Sequence, residues 1–231
     1  MFATVAIALD WLGVVTFAVT GALVASRKQM DIVGFAFLGT ATGIGGGTLR
    51  DVLLGVPVFW VAQPAYLVAP ALVSAAVFFG AHIPRSRHAM LLWFDAVGLA
   101  LFAVVGAEKG MLAGAGPVVA VAMGVVTATF GGIIRDLLGG EIPVILSREI
   151  YASAAVAGAA AFVGLAMAGS SRELALGTGF AVALLVRGLA LRYGWSLPRY
   201  RPPPGLPPPP EGNPPRPPVV RRPAPADTAC G

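Results

Sequence analysis

The feature that most limits what this chain can fold into is a motif that occurs twice. Gly43-Ile44-Gly45-Gly46-Gly47-Thr48-Leu49-Arg50-Asp51 is echoed by Thr129-Phe130-Gly131-Gly132-Ile133-Ile134-Arg135-Asp136, with the two Arg-Asp pairs 85 residues apart. Each copy is a glycine cluster followed by a charged pair, inside an apolar segment long enough to cross a bilayer. Charges and irregular backbone are costly in hydrocarbon, so they occur where protein or a water-filled cavity faces them. The register extends beyond the motif. With the same displacement Asp10 meets Asp95, Gly13 meets Gly98, Phe17 meets Phe102, Gly21 meets Gly106, Thr42 meets Thr127 and Tyr66 meets Tyr151, without a gap. Shared apolar composition would match alanines, valines and leucines by chance. It would not bring aspartates, Arg-Asp pairs and glycines into register.

The chain has 231 residues, 57% of them hydrophobic and 12% charged. Globular domains carry about 25% charged residues. Half that share, with repeated apolar runs of about 20 residues, predicts an all-α polytopic membrane protein with seven transmembrane helices. The spans are read at about 4–25, 31–54, 63–82, 90–107, 117–138, 149–168 and 174–193, with glycines and prolines as punctuation. They group into repeat one at about 4–84, repeat two at about 89–169, and a seventh helix without a mate. Three spans is an odd number, so the second copy enters from the opposite face and the repeats are inverted. The membrane domain is 1–195. The segment 196–231, which holds most of the 20 prolines, is expected to be a disordered or polyproline tail.

Loop charge sets the orientation. Arg27, Lys28, Arg85, Arg87, Arg148 and the arginines of the tail fall on one side, Lys109 and Arg172 on the other. The positive-inside rule puts the first side in the cytoplasm, the N-terminus outside and the C-terminus inside, in the cell (inner) membrane. The N-terminal segment lacks a basic leader and continues into further spans, so it reads as span one rather than a signal peptide. The net charge of +5 fits this topology bias, and no nucleic-acid partner is expected. Cys230 stands alone, His82 and His88 flank Pro84 without a nearby carboxylate, and no metal or cofactor is expected. The glycine run lacks the Lys-Ser/Thr of a nucleotide-binding loop, and no nucleophile–base arrangement is visible, so an enzyme is not expected.

Chemically, the clusters Gly45-Gly46-Gly47 and Gly131-Gly132 are expected to break spans two and five, which resume near Thr48 and Ile133. Broken helices free carbonyl oxygens that can replace part of a cation's water shell, with Thr42 and Thr127 adding hydroxyls. The half-helix N-termini could equally hold an anion, so a cation path and a site for an amino acid both remain open. Adjacent helical residues point about 100° apart. Arg50 and Arg135 are therefore expected to pair with carboxylates other than Asp51 and Asp136, with Asp10 and Asp95 as candidates within or across copies. The plainer alternatives are charges that only pin helices together and glycines that only permit close packing, which is the reading for Gly13, Gly21, Gly98 and Gly106.

The doubled motif, GxGGGxxRDxLxG in span two and GGxxRDxLxG in span five, resembles the prokaryotic members of the trimeric intracellular cation channel family. Many of those sequences also carry a glycine-transporter-like domain label. The resemblance covers about residues 4–195. It implies seven helices in two inverted repeats plus one, glycine kinks in helices two and five, and a pore in each protomer of a homotrimer. It also implies that monovalent cations permeate, chiefly potassium, and that Arg50, Asp51, Arg135 and Asp136 stand beside the pore. The expectation is a potassium-preferring channel, with sodium as a further permeant ion and the lipid bilayer as surroundings. The rival is a secondary transporter of a small amino acid such as glycine, and a scaffold that recruits partners through the tail is a third reading.

Overall fold

The computed structural model describes residues 2–80, 87–147 and 149–198. The proline-rich tail, His82, Arg85, Arg148 and Cys230 lie outside the described residues. Within them are α1 (Phe2–Arg27), α2 (Ile32–Leu53), α3 (Phe59–Ala62), α4 (Ala65–Gly80), α5 (Arg87–Leu112), α6 (Pro117–Leu138), a 3-10 turn (Val144–Leu146), α7 (Ala152–Met167) and α8 (Arg172–Tyr193). This is an all-helical membrane protein. Five helices, α1, α2, α5, α6 and α8, are long and apolar enough to span a bilayer, and α4 and α7 are shorter apolar helices of 16 residues.

Local signals set the ends. Asp31 caps α2 by accepting from the Gly34 amide at 2.7 Å, and Pro117 opens α6 where its missing N–H costs nothing. Gly194, with φ 67°, ends α8 in the left-handed conformation that glycine takes without strain.

The expected helix breaks are not there. Both α2 and α6 run through their glycine clusters as continuous helix, so no half-helix starts near Thr48 or Ile133. In a bilayer an opened turn would need other partners for its amides and carbonyls. An unbroken helix with no Cβ on one face instead lets a second backbone come close. The glycines serve that purpose here. A Cβ on Gly46 would collide with the carbonyl of Thr127, and one on Gly131 would lie 2.6 Å from the carbonyl of Thr42.

The packing is reciprocal in the same register as the sequence. Gly13 lies against Phe102 and Gly98 against Phe17, and the two phenylalanines stack on each other at 5.2 Å between centroids, 12° from parallel. Gly21 faces the Leu38 carbonyl and the Thr42 hydroxyl; Gly106 faces the Met123 carbonyl and the Thr127 hydroxyl. Gly39 meets the Ala18 carbonyl and Gly124 the Ala103 carbonyl. Each of these contacts maps onto its partner by 85 residues. α1, α2 and α4 form one bundle and α5, α6 and α7 another, joined by α1 against α5 and α2 against α6. α8 packs on α5 and α7. Where lipid offers no hydrophobic drive between helices, close van der Waals contact through small residues holds such bundles.

Candidate functional site

Two clusters of buried charge flank the α2–α6 crossing. In the first, the Arg50 Nε donates to Asp51 Oδ1 at 2.7 Å, and its Nη1 stands 3.7 Å from Asp10. Asp51 is fully buried; its Oδ2 accepts from the Phe59 amide at 3.0 Å and from the Lys109 Nζ at 2.8 Å. The Phe59 ring carries both cations over its faces, Arg50 at 5.9 Å and Lys109 at 6.0 Å from the centroid. Trp11 stacks on Tyr66, which lines the same cavity as Asp10.

In the second cluster, the Arg135 Nε donates to Asp136 Oδ1 at 2.9 Å and its Nη1 to Asp95 Oδ1 at 2.5 Å. The same Nη1 reaches the Thr20 hydroxyl at 3.2 Å. Asp136 Oδ2 accepts from the Val144 amide at 3.0 Å, the counterpart of the Phe59–Asp51 bond.

The arginines therefore do pair with their neighbours, against expectation, and also with the aspartate of α1 or α5 in their own copy. The long stem of arginine lets the guanidinium fold back past the 100° offset, and its five donors serve two carboxylates at once. The Thr42 and Thr127 hydroxyls donate to the Leu38 and Met123 carbonyls at 2.6 Å each and lie against Gly21 and Gly106.

The two clusters differ in access. The first borders a cavity of about 280 Å³ whose polar lining is Asp10, Arg50, Gln63, Tyr66, Glu108 and Lys109. Its rim at Ala62, Gln63 and Leu112 is exposed. The second is closed. The Asp95 and Asp136 side chains are 2% and 5% exposed, against 14% for Asp10 and 32% for Lys109. Arg187 of α8 helps close it. Its Nη2 donates to Glu149 at 2.6 Å, its Nη1 to the Ile150 carbonyl at 3.2 Å, and its guanidinium sits 5.2 Å from the Tyr151 ring centroid.

Sequence reasoning missed two residues of this arrangement. Lys109 was assigned with Glu108 to a loop, whereas both lie in the last turns of α5, Glu108 buried and paired with Arg172. Arg187 was passed over, although a lone arginine in an apolar span is itself a signal of a buried partner.

Comparison with known proteins follows the same pattern. The family model described as glycine transporter matches the chain twice, at residues 7–82 and 92–167, and the second match is displaced by the 85 residues of the internal register. The inner membrane protein YadS of Escherichia coli (strain K12) is 42% identical over 83% of this chain and 94% of its own length. The membrane protein YvgT of Bacillus subtilis (strain 168) is 35% identical over 82% and 94%. A crystal structure of a trimeric intracellular cation channel orthologue from Rhodobacter sphaeroides superimposes with a TM-score of 0.81 at 64% identity, covering 83% of this chain and all of that one. A prokaryotic channel of the same type, crystallised in 0.5 M KCl, gives 0.78 at 30% identity, covering 85% of this chain and all of that one.

Proposed function

Since the chain belongs to the family of the prokaryotic trimeric intracellular cation channels, we propose that it is a passive channel for monovalent cations, potassium chief among them, selective over chloride. The path runs within each protomer of a homotrimer, between the two three-helix bundles, and its narrow part is the glycine crossing of α2 and α6, the second and fifth spans. α4 and α7 complete seven spans in two inverted repeats. At about 1.5 Å per residue each covers about 24 Å, and α3 and the 3-10 turn extend them. The protein lies in the inner membrane with the N-terminus outside and the tail in the cytoplasm. It performs no enzymatic reaction.

The observation that carries this reading is the placement of charge. A water-accessible cavity leads to Asp10, Arg50, Asp51 and Lys109 on one side of the crossing, and a sealed twin at Asp95, Arg135 and Asp136 stands on the other. The structure is a closed form on this reading. Conduction requires the Gly45–Gly47 and Gly131-Gly132 faces to part, with the Ile134 side chain withdrawing from Gly45. The excess carboxylate of the second cluster favours cations over anions, and the arginines hold the aspartates in place.

The experiment is reconstitution of the purified protein in a planar bilayer under asymmetric potassium chloride. Unitary currents that reverse near the potassium potential are expected. The family model's description supports a second reading, a transporter of glycine. Silence in the bilayer, with saturable counterflow of labelled glycine in liposomes, would replace the first reading with the second.

A further inference from the structure

The two charge clusters are alike in fold but not in charge. The first holds two carboxylates, Asp10 and Asp51, and two cations, Arg50 and Lys109. Among the described residues the second holds two carboxylates, Asp95 and Asp136, and one cation, Arg135. The position equivalent to Lys109 is Val24, 85 residues earlier. Arg187 does not make up the difference, because Glu149 neutralises it at 2.6 Å. Arg27 and Lys28 share the single carboxylate of Glu141 at 2.9 and 3.4 Å; their side chains are 26% and 36% exposed, so water screens the positive charge left over. The second cluster thus carries one uncompensated negative charge among groups that are almost fully buried.

Two further atoms point to where the missing charge belongs. Asp95 Oδ2 and the Tyr151 hydroxyl are both buried without a hydrogen-bond partner among the described residues. Asp95 is 1% exposed and Tyr151 2%. Both groups converge on Gly132. A Cβ there would lie 2.7 Å from the Tyr151 hydroxyl and 3.7 Å from both Asp95 Oδ1 and Arg135 Nη2. In the first cluster neither Asp10 nor Tyr66, the equivalent pair, has a buried polar atom without a partner. A buried unpaired carboxylate oxygen beside an unpaired phenol oxygen, with net negative charge around them, is costly in a low-dielectric interior.

We propose that Asp95 Oδ2 and the Tyr151 hydroxyl over Gly132 bind one partly dehydrated monovalent cation, whose counterpart in the first cluster is the tethered ammonium of Lys109. The proposal rests on the channel reading and deepens it. The sealed cluster is a resting site for the permeant ion, and the open vestibule carries a built-in cation in the equivalent place. A monovalent ion satisfies the charge; a divalent one would leave the cluster positive.

The test uses the full-length protein in detergent. The thermal midpoint is followed as potassium chloride replaces N-methyl-D-glucamine chloride at constant ionic strength, and crystals grown in rubidium chloride are examined for anomalous scattering. The wild type is expected to gain stability with potassium in a saturable way, and rubidium to scatter beside Asp95 Oδ2. Tyr151→Phe, which removes one oxygen and keeps the ring, should raise the half-saturating potassium concentration about tenfold. Asp95→Asn should abolish the response. If Asp95→Asn does not fold, Tyr151→Phe and the rubidium position decide. A midpoint that follows pH and ignores the cation would overturn the proposal in favour of a proton shared by Asp95 and Asp136. Unitary currents with a cation-independent midpoint would remove the site and leave the channel. A cation-dependent midpoint without currents would keep the site and remove the channel.

Discussion

Replacing Gly131 by alanine tests whether the glycine clusters hold the two bundles together by backbone contact. The new Cβ would lie 2.6 Å from the Thr42 carbonyl oxygen and 3.6 Å from the Phe17 ring. Ordinary carbon–oxygen approaches are about 3.3–3.6 Å, so the shortfall is about 0.7–1 Å. Neither atom can rotate away, because both belong to helix backbones or are bonded directly to one. α2 and α6 must therefore separate, and a gap of that size forfeits about a quarter to a half of each van der Waals well along the crossing. Overpacking of this kind costs about 1–3 kcal/mol. The gain in helix propensity, about 1 kcal/mol for Gly→Ala, works the other way and must be cancelled. Gly164→Ala does so, since a Cβ at Gly164 in α7 meets nothing within 4 Å. At about 2–4 °C per kcal/mol for a chain of this size, Gly131→Ala should melt about 2–12 °C below Gly164→Ala in the same detergent. Equal midpoints for the two variants would refute the argument, and with it the view that the missing Cβ atoms set the distance between the bundles.

Three further outcomes are expected. Arg135→Met leaves Asp95 and Asp136 buried and unpaired and should cost about 3–5 kcal/mol. Lys28→Ala, whose pair with Glu141 is about a third exposed on both sides, should cost about 1 kcal/mol or less, and thermal denaturation of both variants checks the contrast. Lys109→Gln removes the ammonium from the vestibule. Single-channel potassium conductance should rise about twofold, the repulsion of one partly screened charge being on the order of RT, and an unchanged value would take the cavity off the ion path. Arg187→Met breaks the bonds to Glu149 and the Ile150 carbonyl, so hydrogen exchange at the backbone of 149–152 should quicken, while exchange in α1 stays as it is.

Much of the architecture was legible in the residues. Composition and the apolar runs placed the chain in a bilayer, and the 85-residue register identified which residues would take equivalent places. Phe17 and Phe102 match in that register and stack in the fold. Asp10 and Asp95 match and meet the arginines of their own copies. The glycine clusters were misread because a run of glycines signals two opposite things. It can open a helix where water or protein takes over the hydrogen bonds, or it can bare one face of an intact helix. Which occurs depends on what stands opposite, here the Thr127 and Thr42 carbonyls contributed by the other bundle. Lys109 was misplaced for a related reason. Glu108-Lys109-Gly110 has the composition of a loop, and only the carboxylate of Asp51, 58 residues earlier, makes a helical lysine favourable at that position.

The sequence alone determined the membrane-spanning character, the duplication and the list of charges that must find partners. Those follow from composition and period, which are properties of the chain read locally. The tertiary structure decided how the charges divide. It gave one cluster a second cation and an open mouth, and sealed the other beneath an arginine from α8. Charge balance and access depend on distances between segments far apart in the chain, and no local pattern encodes them.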